Sequence, residues 1–331
     1  MIEKKYDNLL GFKEFCTEIK DLMAERFSKE YKVELNQVLK NNSIILEGIV
    51  ILQKEETIAP NIYLNNYYVR YQNGLSLDEI VESICKEYNK SKMKGNTKAI
   101  KDNLEFEKIK NTIVYRLINF DKNKSLLSEI PHTKFLDLAV TFHCLVKSDE
   151  EGIGTIRVTN EHLKVWNVSL EDLIQYAKIN TPILFPPVVQ SMKKVIDKLL
   201  MGEFQDEDVD TQQSNENFRN IMDQEEGSED DCYYNLEDNM LVISNQRNIN
   251  GASCMIYDNL LSDISEQLNA DLYILPSSIH ELIVIKNENT YENTVLKDMV
   301  KDVNLTQVPL EDILSNNIYF YSRNRQAITC L

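Results

Sequence analysis

Apolar residues recur at helical spacing over 11–29, where Phe12, Phe15, Ile19, Leu22, Met23 and Phe27 share one face. The period then changes. Runs at 32–35 and 44–52 are short and rich in Ile, Leu and Val, and read as a candidate strand pair. A helix holding Tyr67 to Tyr71 is stopped by Asn73-Gly74. The next helix, running to about Tyr88, opens with Ser76-Leu77-Asp78-Glu79, a capping box in which Ser76 accepts the third amide and Glu79 reaches back. Farther on, 104–118 is amphipathic, and the apolar run 135–146 suits a central strand. Gly152-Ile153-Gly154 followed by Thr155 to Val158 reads as a hairpin whose loop needs glycine freedom.

Helix punctuation is clear in the middle of the chain. Thr159-Asn160-Glu161-His162 opens a short helix ending at Trp166, with Asn167 at the left-handed position after it. Ser169 caps a second helix over 170–178, and Thr181-Pro182 and Pro186-Pro187 break the chain before a third over 188–201. The last region predicts a strand at 240–244, a turn at Asn250-Gly251, a helix over 258–268, strands at 272–275 and 280–285, and a helix over 291–303. A short helix after Pro309 and strands at 318–321 and 326–329 complete it. Strands and helices are interspersed without strict alternation, which predicts an α+β fold with mainly antiparallel sheets. The expected regions are an N-terminal helix and hairpin part (1–100), a middle α+β part (101–202), an acidic disordered linker (203–238) and a C-terminal α/β part (239–331).

Charge sharpens this division. The chain carries a net −17, and 203–238 contains fourteen acids and one base, a local −13, leaving −4 for all other residues. That segment has too few large apolar residues to offset its ordering entropy, so it is expected to be disordered. Asp206, Asp208 and Asp210 imitate the start of a calcium loop, but Thr211 and Asn217 stand where the geometry needs Gly and Glu. A lysine-rich stretch over 86–101 reads as an exposed connector; it lacks the interleaved aromatics of a nucleic-acid surface.

Composition excludes several chemistries. The six cysteines contain no C-x-x-C pair, so neither a zinc site nor a disulfide framework is predicted. No phosphate-binding glycine loop occurs, and no cofactor is expected. The apolar runs are too short to cross a bilayer and the first residues show no secretory signal, so the expected location is the cytoplasm.

One stretch combines chemistry with a structural frame: Asp271 to Ile285, D-L-Y-I-L-P-S-S-I-H-E-L-I-V-I. Ser277, Ser278, His280 and Glu281 are the candidate catalytic residues, since a serine nucleophile needs a base in reach and a third group to orient that base. On a regular strand Ser278 and His280 share a face while Glu281 points the other way. The alternative is that Pro276 and the serines serve the turn and His280 opens a strand. Glu161 and His162 are candidate ligand-binding residues, with helix capping as the competing reading. His132 and His143 lack ligand spacing, and Tyr63, Tyr67, Tyr68 and Tyr71 are expected to pack locally, with a peptide-binding groove as the alternative.

Several segments together resemble an uncharacterised bacterial family known mainly from anaerobic Firmicutes and catalogued as a domain of unknown function. They include I-A-P-N-I-Y-L-N-N-Y-Y (58–68), V-T-N-E-H-L-K-V-W (158–166), L-V-I-S-N-Q-R-N-I-N-G-A-S (241–253) and D-L-Y-I-L-P-S-S-I-H-E-L (271–282). The order of elements is also faintly similar to the YtpQ-like family. The resemblance implies a shared fold and a bacterial cytoplasmic setting, and it implies no catalytic residue. On these grounds the expected function is a non-enzymatic interaction or regulatory protein with a protein partner and no nucleic acid. The alternative is a hydrolase-like enzyme or small-ligand binder using Ser277, Ser278 and His280.

Overall fold

The computed structural model describes residues 9–54, 59, 61–91, 105–149, 152–203, 240–288 and 291–331. The acidic segment, the Asp206-Asp208-Asp210 run and the lysine-rich stretch beyond residue 91 lie outside them. The chain forms two compact units, Met1–Lys108 and Ile109–Leu331. Both are α+β, and every described strand pair is antiparallel.

In the first unit, α1 (Phe12–Arg26) lays Phe15, Ile19 and Met23 against a sheet of β1 (Tyr31–Leu39), β2 (Ile45–Gln53) and β3 (Asn61–Tyr63). The helices α2 (Leu64–Gln72) and α3 (Leu77–Ser91) complete the core with Leu64, Tyr67, Ile80 and Ile84. The capping box forms, with Glu79 N donating to Ser76 Oγ at 3.3 Å and Ser76 N to Glu79 Oε2 at 2.9 Å. The tyrosines pack locally. Tyr68 lies against Phe12 and Phe15 at 5.1 and 5.2 Å and donates its hydroxyl to Leu10 O.

The second unit holds two sheets. In one, β4 (Ile113–Asn119) and β5 (His132–Phe135) flank β6 (Leu138–Asp149), and β7 (Gly152–Arg157) continues the edge that β5 begins. Two helices follow, α4 (Asn160–Trp166) and α5 (Leu170–Leu184). The larger sheet runs β13-β12-β10-β11-β9-β8, from β8 (Pro187–Ser191), β9 (Met240–Asn245), β10 (Leu272–Pro276), β11 (Leu282–Lys286), β12 (Tyr319–Ser322) and β13 (Ala327–Cys330). The helices α6 (Met192–Glu203), α7 (Leu260–Leu268) and α8 (Asn293–Thr306) connect them. On one face of this sheet Leu296 and Val300 of α8 pack with Tyr273, Leu275, Ile285 and Ile318.

Several expected elements change. Within the stretch 104–118, residues 106–112 form a short helical turn and β4 starts at Ile113. The run 135–146 is not one strand: Phe135 pairs directly with Leu138, and Leu136 takes φ 57° in a two-residue turn. A leucine in that conformation is uncommon, and the anchoring of Asp137 described below holds it there. Pro182 does not end its helix, because α5 continues to Leu184. The lost amide falls in the last turn, where Asn180 Nδ2 donates to Lys110 O and Ile113 O at 2.8 and 3.0 Å and Tyr115 N donates to Thr181 Oγ1 at 3.1 Å. Residues 187–191 are a strand rather than the start of a helix, since Val188 and Val189 pair with Ser244 and Ile243. No helix follows Pro309, where the chain only turns. Finally β11 begins at Leu282, which leaves His280 and Glu281 in the preceding turn.

Candidate functional site

The turn between β10 and β11 is built from Ser277 to Glu281, closed by the Pro276–Leu282 pair. Each polar group in it has a local task. Ser278 N donates to Glu281 O at 3.3 Å, and Ser278 Oγ accepts the amide of His280 at 3.0 Å, a hydroxyl-closed turn. Ser277 Oγ donates to Glu281 Oε1 at 2.9 Å. Burial raises the Glu281 carboxyl above its ordinary range, while the Ser277 bond and the neighbouring His280 oppose the shift.

The turn is sewn to two other segments at the same end of the sheet. Ile279 N donates to Asp312 O at 2.7 Å, and Ala252 N donates to Ile279 O at 3.2 Å. Ser244 Oγ, at the end of β9, donates to His280 O at 2.8 Å. Gly251 is required here. A Cβ at that position would stand 2.2 Å from Ser244 Oγ and 2.4 Å from His280 O.

The His280 ring is held at Nδ1, and its Nε2 faces an acid. Nδ1 accepts the main-chain amide of Asn250 at 3.1 Å, so its lone pair is engaged and the proton sits on Nε2. Nε2 faces Asp312 Oδ1 at 3.4 Å, with both side chains about one quarter exposed. In a serine–histidine–acid arrangement the acid orients one nitrogen and the other takes the serine proton. Here a backbone amide bonds to Nδ1, a carboxylate lies 3.4 Å from Nε2, and neither serine hydroxyl bonds to the imidazole. The acid that orients the ring is Asp312, thirty-two residues beyond the histidine in a turn with no sequence signature, so the sequence reading did not find it.

Glu161 and His162 stand in the first turn of α4. Thr159 N donates to His162 Nδ1 at 3.0 Å and His162 N donates to Thr159 Oγ1 at 3.4 Å, so the imidazole takes the part that Glu plays in a capping box. The ring stacks on Trp166 with centroids 5.0 Å apart, and burial lowers its pKa. Glu161 pairs with Lys164 at 2.7 Å on the exposed side. Among the described residues no hydrogen bond or ion pair joins this cap to the 277–281 turn, and no group of three or more His, Cys, Asp or Glu converges to hold a metal ion.

A second polar node, also without a sequence signal, gathers on Asp137. Its Oδ2 accepts from Ser315 Oγ at 2.6 Å and Asn317 Nδ2 at 3.0 Å, and its Oδ1 accepts from Tyr319 Oη at 2.9 Å. Burial first, and then the adjacent carboxylate, raises the Tyr319 pKa well above its ordinary value, so the phenol stays a donor. This node ties the β5–β6 turn to the segment that carries Asp312.

Fold and site together define an α+β protein whose prominent polar side chains close turns and join segments. The chain belongs to the family of unknown function DUF5688, whose model matches residues 12–323. No curated protein matches it, and no solved structure does. No helix among the described residues is long and apolar enough to cross a membrane.

Proposed function

We propose that this chain is a non-enzymatic interaction or regulatory protein of the bacterial cytoplasm, acting through a protein partner and not through nucleic acid. The observation that carries this reading is that His280 Nδ1 accepts from Asn250 N while Nε2 faces Asp312, so the imidazole is bonded to neither serine. Ser277 and Ser278 are likewise committed to the turn. The alternative, a hydrolase or small-ligand binder using Ser277, Ser278 and His280, needs a rearrangement that frees the ring.

A fluorophosphonate probe separates the two, because it labels activated serines. Labelling of the full chain is expected to match that of a Ser277→Ala, Ser278→Ala double variant. Labelling abolished by Ser278→Ala alone would favour the hydrolase. Affinity capture with the full chain from native lysate should return a partner in constant proportion, and the absence of any specific partner would count against the interaction reading.

A further inference from the structure

We infer that one face of the β4–β6–β7 sheet is a binding site for a small oxyanion, a phosphate or carboxylate group of a small molecule. The registers place the parts. Arg116 on β4 stands opposite Thr141 on β6, and Arg157 on β7 stands opposite His143 on the other side of the same strand. Directly paired residues and their second neighbours share a face, so both arginines and His143 project from one side. Arg116 reaches across β6, since its Nη2 donates to Thr155 Oγ1 on β7 at 2.9 Å. Thr141 Oγ1 and His143 Nε2 lie 3.3 Å apart beneath that path.

The chemistry around Arg116 is lopsided. No carboxylate among the described residues pairs with Arg116, and a neutral hydroxyl is its hydrogen-bond partner. Burial lowers its pKa to about 10, and the neighbouring Arg157 charge adds to the effect. Burial, with both guanidiniums contributing, likewise holds His143 well below its ordinary pKa, so the ring stays neutral. A desolvated cation is normally matched by an anion, because the fold otherwise bears an uncompensated charge. Guanidinium is also the group whose flat fork fits the two oxygens of a carboxylate or phosphate. Both arginines are half-buried. The site is independent of whether the chain is an enzyme.

The test is thermal unfolding of the full chain in inorganic phosphate, in succinate and in chloride at matched ionic strength. Phosphate or succinate is expected to raise Tm along a saturating curve, and which of them acts identifies the kind of oxyanion. Arg116→Met should weaken that response at least tenfold while leaving Tm in chloride unchanged or higher, because it removes a charge whose partner is missing. Should Arg116→Met fail to melt cooperatively, Arg116→Lys is read instead: it keeps the charge, loses the fork, and should weaken the response about tenfold. Equal Tm in all three salts overturns the proposal. So does an anion response that persists unchanged in the variant, which would mark a general salting effect.

Discussion

At the residue scale, Gly251 shows how closely backbone and side chains approach where the segments meet. A methyl group there would have to push aside Ser244 Oγ and the carbonyl of His280. Gly251→Ala is therefore expected to destabilise the protein by about 1–3 kcal/mol, the usual range for overpacking. Urea unfolding measures it, and a change within error of zero would show that the approach is not rigid. Glu281 gives a pH prediction. Its pKa is raised in the fold by burial, so its contribution is whole below the ordinary glutamate value of about 4.3 and is lost as pH rises through the raised folded value. Glu281→Gln keeps an acceptor for Ser277 and removes this loss. Its stability relative to the parent should thus grow with pH across that window and then level off; a constant difference would contradict the assignment.

At the element scale the two-residue turn of Leu136 and Asp137 is held from outside. Three donors converge on the Asp137 carboxylate, and Tyr319 is fully buried. Asp137→Asn turns one acceptor into a donor, so one partner loses its bond in a desolvated place. The expected loss is about 2–3 kcal/mol, from the usual penalty for a buried polar group left unpaired. A loss below 0.5 kcal/mol in chemical denaturation would indicate that water replaces the carboxylate. Elements with local causes were legible in the sequence. The Ser76 and Ser169 caps and the Asn167 terminus at φ 53° follow from short-range chemistry; Gly152–Gly154, expected as the loop of a hairpin, instead lie in β7 and pair with Lys147 to Asp149. The turn at 136–137, the helix through Pro182 and the strand at 187–191 were not legible, because each is settled by partners far along the chain. The site divides in the same way: the serine turn could be read locally, while Asp312 enters from a distant segment.

At the scale of the whole molecule, β8 and β9 come from opposite sides of residues 204–239 and pair along five residues, so elements before and after that stretch share one sheet. The second unit, Ile109–Leu331, should therefore behave as one cooperative body. Expressed alone, residues 109–331 are expected to give a single calorimetric transition. Two transitions, or none, would show that the sheet does not unite these segments. The concentration of charge in 203–238 was legible from composition, whereas the pairing of the strands on either side of it was not.

The way the His280 ring is held decides between scaffold and catalyst, and the tautomer reports it most directly. Long-range proton–nitrogen correlation spectra of the imidazole at neutral pH should show an unprotonated Nδ1 and a protonated Nε2, unchanged by Ser278→Ala. A proton on Nδ1, or ring-nitrogen shifts that move when the Ser278 hydroxyl is removed, would place the histidine in contact with the serine and contradict the scaffold role assigned to both.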